Sequence, residues 1–173
     1  MGSLEVLVWF HAYSRFHPAL RAKVGNHPLW VPGVTAVVLR PFDEPEEVLL
    51  VRRADDRTWT PVKGIMEPAE SVTAAAKREC LEETGVVIEI DRLVSVAVNG
   101  PVRYANGDVT DYLDHTVRAR WISGEPVVGD DESVDTGWFR LDDLPAPIPA
   151  SDLARIEIAV ANPRDVVLDG VPR

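Results

Sequence analysis

One predicted helix constrains this chain more than any other segment, because strong helix signals and an unfavourable concentration of charge coincide in it. Residues 71–84 begin at Ser71, a residue type that caps helix N-termini, and end before Gly85, a residue type that commonly follows helix C-termini. The last turns carry three acids: Glu79, Glu82 and Glu83. Like charges at helical spacing repel one another. The fold must therefore either leave these acids in water or supply a cation.

A helical wheel places the three acids on the side of the helix that begins as apolar. Measured from Val72 at about 100° per residue, all three lie within about 80°. Ala75 and Ala76 share that side. If these small residues point into the core, the carboxylates point inward as well. Alternatively, the glutamates form a solvated face, as acids at this spacing usually do on surface helices.

Inward-facing carboxylates at these spacings raise one another's pKa unless a cation is close. A divalent metal is an economical cation, and oxygen-only ligands suit Mg²⁺ or Mn²⁺, which also bind substrate phosphates. The sequence has no set of cysteines and histidines with the spacing of a zinc site. We expect each of the scattered histidines to be structural or exposed: His11, His17, His27 and His115.

Short apolar segments on both sides of this helix predict strands. They lie at residues 6–10, 34–40, 48–53, 86–90, 93–98 and, as a short strand with a turn, 136–145. Asn106 and Gly107 predict a hairpin turn. A second helix is expected at 151–161 with Ser151 as its cap, and residues 17–28 as a loop or a frayed helix. Strands mixed with two helices, without regular βαβ alternation, predict an α+β fold built on a mixed-sheet sandwich.

Composition limits the partners that we expect. The chain has 173 residues, enough for one domain with a sizeable core, and a formal net charge of −10. Because binding along a nucleic acid needs clustered Lys and Arg, this charge argues against a nucleic-acid partner. The single cysteine, Cys80, allows no intramolecular disulfide. With neither a secretory signal nor an apolar run long enough for a membrane, the sequence predicts a cytoplasmic protein without a membrane partner.

The acidic helix belongs to a longer pattern, GIMEPAESVTAAAKRECLEETGV, at residues 64–86. Its fixed positions are Gly64, Glu70, Arg78, Glu79, Glu82, Glu83 and Gly85. The pattern resembles the signature of the Nudix hydrolase family and fills each fixed position. The resemblance implies a mixed β-sheet sandwich flanked by helices (α/β/α), with the signature as a loop, a helix and a loop. It places the Nudix domain at 29–165, after an N-terminal extension at 1–28 and before a C-terminal tail at 166–173.

The resemblance also implies a reaction and the residues that perform it. Nudix proteins mostly hydrolyse nucleoside diphosphates linked to another group, using Mg²⁺ or Mn²⁺. Carried over by position, four residues would bind the metal: Gly64 through its carbonyl group, Glu79, Glu82 and Glu83. Arg78 and Glu70 would be a supporting pair, in which Arg78 orients the helix carboxylates for catalysis.

The resemblance leaves the general base open. Hydrolysis of a diphosphate bridge needs neutralised phosphate charge and a positioned, deprotonated water, which a metal and a carboxylate supply together. Glu82 and Glu83 are candidates within the signature. Glu132 is a further candidate, because a loop glutamate has this role in some relatives. Alternatively, Glu132 is an ordinary exposed loop acid.

Four residues near the signature are candidates for substrate binding: Arg52, Arg53, Lys63 and Trp59. The cations would hold phosphates, or else they lie at solvated strand ends. Trp59, like Tyr104, would stack on a base, or else it packs in the core.

Three positions bear on how closely the chain follows the family. Lys63 replaces the first of two glycines, so either the loop turns differently or Lys63 points toward phosphate, because lysine is strained where φ is positive. Ala69 stands where many relatives have glycine. Cys80 fills an apolar position, which favours a small packed residue over a nucleophile.

Three functions are compatible with the sequence. The first is a metal-dependent hydrolase acting on a nucleotide sugar, ADP-ribose, or a normal or oxidised nucleoside triphosphate. The second is a non-catalytic module that binds a nucleotide as a sensor, although such modules often lose signature acids. The third is an enzyme like isopentenyl diphosphate isomerase, whose chemistry uses a cysteine outside the signature helix, whereas Cys80 lies within it. The family resemblance also suggests a possible homodimer.

Overall fold

The computed structural model describes residues 16–104, 106–129 and 131–169. The helices are α1 (Phe16–Val24), α2 (Val72–Thr84) and α3 (Ala150–Ala161). The strands are β1 (Leu29–Arg40), β2 (Glu47–Arg53), β3 (Trp59–Thr60), β4 (Val62–Ile65), β5 (Val87–Arg103), β6 (Val109–Ser123), β7 (Ser133–Arg140) and β8 (Val167–Leu168). His11, the strand expected at 6–10 and the last four residues of the expected tail lie outside the described residues. None of the described helices is long and apolar enough to cross a membrane.

The strands form one mixed sheet. Hydrogen-bonded neighbours follow the order β3-β2-β1-β6-β5-β8, with β4 pairing to β1 and β7 to β2. The pairings of β1 with β6 and of β5 with β8 are parallel, and the other pairings are antiparallel. The turn predicted at Asn106 and Gly107 joins β5 to β6. The predicted α+β class with a mixed sheet is confirmed.

Two helices cover opposite faces of the sheet. Because side chains alternate along a strand, β1 contributes to both faces. Val34, Ala36 and Val38 pack in the cluster that contains α2, whereas Val37 and Leu39 pack in the cluster that contains α3. Both clusters are almost fully shielded from water. The predicted arrangement of a sheet flanked by helices is therefore also confirmed.

Both predicted ends of α2 are confirmed. Ser71 has extended backbone, and its hydroxyl oxygen accepts a hydrogen bond from the backbone N–H of Ala74 at 3.2 Å. Gly85 has φ of 70°, a left-handed conformation that glycine adopts without strain, and its N–H donates to the carbonyl oxygen of Leu81 at 2.9 Å. Local sequence signals thus place the acidic helix.

Helix α3 begins one residue earlier than predicted, and Ser151 is not its cap. The N–H groups of Asp152 and Leu153 donate to the carbonyl oxygen of Pro149 at 2.9 and 3.0 Å, and no side chain caps the helix. Pro149 has ψ of 142°, so the extended cap residue is the proline. Serine was misassigned because its hydroxyl caps a helix only where its own backbone is extended.

The two strands expected at 86–90 and 93–98 are one strand, β5. Its pairing with β6 continues through register shifts between Ile90 and Arg92 and between Leu93 and Ser95. Shifts of this kind insert an extra residue into one strand without ending its pairing with the next. The polar residues between the two apolar runs therefore lie within the sheet.

We predict that Ala69→Gly stabilises the protein. Ala69 has φ of 67°, where an alanine Cβ is crowded and glycine is not. We expect the free energy of unfolding to rise by about 1 kcal/mol, which corresponds to about 2–4 °C in Tm for a chain of this size.

Thermal and denaturant unfolding would measure this change. The matched control is Ala74→Gly, at an exposed position inside α2, which should destabilise by about 1 kcal/mol. Equal losses in the two variants would contradict the strained conformation of Ala69.

Candidate active site

Arg78 ties α2 to the loop before it. Its Nε and Nη2 atoms donate to the two carboxylate oxygens of Glu70 at 2.9 Å each, and Nη2 also donates to the carbonyl oxygen of Ile65 at 3.2 Å. Burial alone would raise the pKa of Glu70, but the hydrogen bonds from Arg78 and from the N–H of Glu67 lower it below its usual value. A bidentate ion pair between Arg78 and Glu70 thus holds the loop before α2 against the helix.

The same guanidinium group reaches two of the three helix acids. Its Nη1 atom donates to Glu79 at 2.8 Å and to Glu82 at 3.1 Å. The hydrogen bonds to Glu70 and the nearby acids raise the pKa of Arg78 further above its usual value. Arg78 therefore supplies a permanent positive charge among carboxylates that would otherwise repel one another.

The carboxyl group of Glu79 lies against the backbone of Gly64. A methyl group on Gly64 would overlap this carboxyl group. The φ of Gly64 is not positive, so glycine is needed here for space. Burial raises the pKa of Glu79 to about 7; Arg78 opposes the shift, and the charges of Glu82 and Glu132 add to it. The site therefore holds a carboxyl group for which a further cation would favour the charged form.

The three helix acids are shielded from water to different degrees. Glu83 is only 7% exposed. The side chains of Glu79 and Glu82 are 15% and 32% exposed. The acids therefore turn inward, and Glu82, which lies farthest from the apolar side on the wheel, is the most exposed.

A loop after β6 brings Glu132 to the acids. The N–H groups of Val127 and Gly129 donate to the carbonyl oxygens of Thr84 and Glu83 at 3.0 and 2.9 Å, so the loop packs on the C-terminal end of α2. Glu132 itself is exposed. Together with Glu83 and other residues it lines a small pocket.

Lys63 lies in regular extended backbone and faces away from α2. It is part of β4, opposite Thr35 of β1, and its φ is not positive, so its backbone is free of left-handed strain. Its Nζ atom donates to the two carboxylate oxygens of Asp152 at 2.9 and 3.2 Å. Asp152 lies on α3 and is fully buried. This contact joins β4 to α3.

The Lys63 contact belongs to a buried polar network. Arg155 donates to Asp152 at 3.1 Å and to Asp114 at 3.0 Å. Asp114 also accepts a hydrogen bond from the Thr35 hydroxyl at 2.8 Å. Two cations and two carboxylates thus balance in the wall of the cleft. The sequence analysis missed this network, although the wheel used for α2 would have found Asp152 and Arg155 on the buried face of α3.

Of the other predicted substrate residues, the structure brings only Arg53 to the cleft. Arg53 is paired with Asp55 at the end of β2. Arg52 lies outside the cleft lining, and its Nε atom donates to the carbonyl oxygen of Arg57 at 3.3 Å. Trp59 is 7% exposed and packs edge-to-face on Phe139, with ring centroids 4.7 Å apart. That burial favours the core alternative for Trp59.

One cleft of about 1130 Å³ unites these groups. Its lining includes the predicted residues Gly64, Arg78, Glu79, Glu82, Glu83, Glu132, Lys63 and Arg53. It also includes residues that the sequence analysis did not assign to a site: His17, Asn99, Arg103, Tyr112, Asp114 and Asp152. Tyr104, considered with Trp59 for base stacking, lines the cleft as well.

The acids and Gly64 fit a hard divalent cation by their chemistry. They offer oxygen donors only, on one helix turn and one adjacent carbonyl group, and they include a buried carboxyl group with a raised pKa. Within residues 16–104, 106–129 and 131–169, no three His, Cys, Asp or Glu side chains lie close enough together, as placed, to hold a metal ion. The Arg78 guanidinium group occupies part of the space between Glu79 and Glu82.

Comparison with known proteins gives a family model and curated relatives that match this chain. The family model of the NUDIX domain matches residues 31–157. The chain is 31% identical over 153 residues to the 8-oxo-dGDP phosphatase NUDT18 of Homo sapiens, covering 83% of this chain and 45% of the relative. It is 28% identical over 136 residues to the NAD-capped RNA hydrolase NudC of Citrobacter koseri, covering 76% and 50%. The chain spans about half the length of these curated relatives.

A solved structure supports the same relationship. The MutT NUDIX hydrolase from Burkholderia pseudomallei superposes with a TM-score of 0.60 at 30% sequence identity. The match covers 76% of this chain and 97% of that protein. The likeness therefore extends over nearly all of the smaller protein.

We predict that Asp152→Asn destabilises the fold by about 3 kcal/mol, because it leaves Lys63 and Arg155 without a shared buried carboxylate. Urea unfolding would measure the loss. The control is Asp142→Asn, which removes an exposed pair with Arg140 and should leave the midpoint unchanged. Equal midpoints for wild type and Asp152→Asn would contradict the stabilising role of the network.

Proposed function

Because the chain belongs to the NUDIX domain family, we propose that it hydrolyses a diphosphate linkage in a nucleoside diphosphate derivative, with Mg²⁺ or Mn²⁺ as cofactor. The observation that carries the proposal is the gathering of the signature acids and the Gly64 backbone in one cleft. Arg78 holds two of these acids and Glu70 holds Arg78. A solvated acidic face would not place a carboxyl group against the Gly64 backbone.

Each residue of the site has a part in this proposal. The metal would be held by the carbonyl oxygen of Gly64 and by Glu79, Glu82 and Glu83. When bound, a divalent metal neutralises phosphate charge and lowers the pKa of water. Arg78, fixed by Glu70, keeps the carboxylates in place. Arg53 and Lys63 line the cleft and would pair with phosphate oxygens.

A carboxylate of the site would take the proton of the attacking water. Glu82, Glu83 and Glu132 are the candidates. Glu83 is buried and is itself one of the proposed metal ligands, whereas Glu132 is exposed on a loop and shares a small pocket with Glu83. Single substitutions can separate these candidates. Excess metal can partly restore turnover when a metal ligand is lost, but it does not restore turnover when the general base is lost.

The size of the cleft supports a substrate with two parts. Its volume of about 1130 Å³ exceeds the usual range of about 300–1,000 Å³ for small-molecule pockets. The relatives are named for 8-oxo-dGDP and for NAD-capped RNA. A net charge of −10 disfavours an RNA backbone, so we expect free nucleotides. The panel to test is 8-oxo-dGDP, NAD, ADP-ribose, nucleotide sugars and nucleoside triphosphates.

Cys80 argues against isomerase chemistry that uses a cysteine. Its side chain is fully buried, and burial raises the pKa of its thiol to about 12. A protonated, enclosed thiol is a packing residue. Product analysis by phosphorus NMR would still detect an isomerised diphosphate.

We predict that Glu82→Gln and Glu83→Gln each lower metal-dependent turnover by about 10²- to 10⁴-fold, because each removes a ligand or the base. Phosphorus NMR and coupled assays with Mg²⁺, with Mn²⁺ and with EDTA would measure the loss. If Glu132 is the base, Glu132→Gln shows a similar loss that excess metal does not restore.

The matched control is Glu157→Gln, an exposed position on α3, which should keep wild-type turnover. Unchanged turnover in both Glu82→Gln and Glu83→Gln would contradict the proposed hydrolase. Tight binding of a panel nucleotide without turnover by the wild type would instead support a sensor.

We also predict that Gly64→Ala leaves a folded protein with turnover reduced at least about 10-fold. The added methyl group displaces the Glu79 carboxyl group. The control is Gly137→Ala, where a methyl group meets only Phe139 at ordinary distances of 3.5 and 3.7 Å. Activity and Tm would be measured for both variants. Full activity in Gly64→Ala would show that the place of Glu79 beside Gly64 is not needed.

A further inference from the structure

Helix α1 lies outside the residues matched by the family model, yet it forms part of the cleft wall. None of its residues is buried, so apolar packing does not explain its position. Its anchor is Arg21, which donates to the carbonyl oxygen of Val109 at 3.1 Å and to the Thr110 hydroxyl at 2.8 Å. Arg21 also lies 3.4 Å from the Asp108 carboxylate. One side chain thus docks α1 on the β5–β6 hairpin.

The docked helix and the hairpin enclose one end of the cleft, which we call the hairpin end. It is lined by His17, Pro18, Asn99, Arg103, Tyr104 and Tyr112. The hydroxyl groups of Tyr104 and Tyr112 are hydrogen-bonded at 2.5 Å, which holds the two rings side by side. Tyr104 remains 37% exposed, so part of its ring is available to a ligand. Aromatic rings of this kind are platforms for nucleobases.

Two side chains at the hairpin end have no partner of the kind that the other charged side chains of the cleft have. Arg53, Lys63 and Arg78 are each paired with a carboxylate. Arg103 is exposed, and among the described residues it has no carboxylate within ion-pair distance. The Nε2 atom of His17 is buried and has no hydrogen-bond partner in that same part of the chain. A ligand that carries an anionic oxygen and a polar ring would satisfy both groups.

The register of the sheet sets the distance from the hairpin end to the acids. Along β1, Tyr112 lies opposite Val31 and Gly64 lies opposite Val34. These residues flank β1, and a Cβ atom added at Gly33 would lie 3.5 Å from the Tyr112 ring and 3.7 Å from the Gly64 carbonyl oxygen. The Tyr112 ring and the Gly64 carbonyl oxygen are therefore within about 7 Å of each other, a separation that a nucleoside can span. A phosphate beside Gly64 therefore leaves its nucleoside within reach of the hairpin end. On the other side of Gly64, the cleft continues past Lys63 toward α3.

We propose that the hairpin end is the nucleoside subsite, in which Tyr104 stacks on the base, and that Arg21 is a positioning residue that keeps α1 in place as its outer wall. The proposal rests on the proposed function only in taking the substrate to be a nucleotide. It assigns the part of the cleft beyond Lys63, toward α3, to the group that is linked to the nucleoside diphosphate. It also makes α1, which the family model does not include, an element of base specificity.

Binding without metal tests the subsite directly. AMP, GMP, CMP and UMP would each be titrated in EDTA into full-length protein, with the ring signals of histidine and tyrosine followed by NMR. His17→Gln and Tyr104→Phe assign the two signals. We expect at least one nucleotide to shift both signals saturably. Ser151 and Lys63 line the cleft near α3, away from the hairpin end. Shifts confined to the backbone signals of these two residues would overturn the proposal, as would no binding of any nucleotide.

Variants then separate the base platform from its wall. Tyr104→Leu should raise the Kd of the bound nucleotide about 10-fold, as expected for the loss of one base–aromatic stack. Arg21→Ala should raise that Kd and the KM of the nucleotide substrate while kcat stays within about twofold, because α1 does not touch the reacting atoms. Arg21→Lys should recover part of the affinity. The control is Lys23→Ala, an exposed cation on the same helix, which should leave Kd and KM unchanged.

The outcomes distinguish this proposal from the proposed function. Nucleotide binding at His17 and Tyr104 without hydrolysis of any substrate supports the subsite and contradicts the hydrolase. The opposite outcome is hydrolysis with wild-type Kd and KM in both Tyr104→Leu and Arg21→Ala, and with the same preference for purine over pyrimidine nucleotides. That outcome supports the hydrolase and overturns the subsite. Because Tyr104 is exposed at the surface, its variant remains informative if Arg21→Ala unfolds.

Discussion

The guanidinium group of Arg78 is the contact on which the proposed site depends. One planar cation donates to Glu70, to Glu79, to Glu82 and to the backbone of Ile65. It therefore fixes the loop before α2 and offsets the repulsion between acids on the helix itself. A lysine could not replace it, because its compact ammonium group cannot form a two-pronged contact with one carboxylate and reach two others. The acids can share one turn of helix because this charge lies among them.

The short strand β4 is held from both sides of the sheet by acidic side chains. On the side of α2, the Glu79 carboxyl group packs against Gly64. On the side of α3, Asp152 holds the preceding residue, Lys63. Both contacts require the unusual pair of residues found here, a lysine followed by a glycine. The lysine costs no backbone strain, because its φ is not positive in the extended strand β4.

The parts of the fold that sequence patterns predicted well are those that depend on near neighbours. The ends of α2, the hairpin turn at Asn106 and Gly107 and the strand predicted at 34–40, which lies within β1, are examples. Patterns failed where a distant strand or helix decided the outcome. Pairing with β6 carries β5 through the polar residues that separate the two predicted strands. Burial against Phe139 takes Trp59 out of the cleft, although its place in the sequence is next to the signature.

By itself, the sequence determined the acidic helix, its caps and the spacing that relates this chain to the NUDIX domain family, because these features lie within 23 consecutive residues and follow local rules. Only the tertiary structure decided which groups share the cleft. Lys63 meets Asp152 and Arg21 meets Thr110 across 89 residues of chain in each case. Contacts at that separation depend on how the whole sheet is ordered. Local propensity does not depend on that order. The polar network around Lys63 and the cleft wall formed by α1 could therefore be found only in the folded structure.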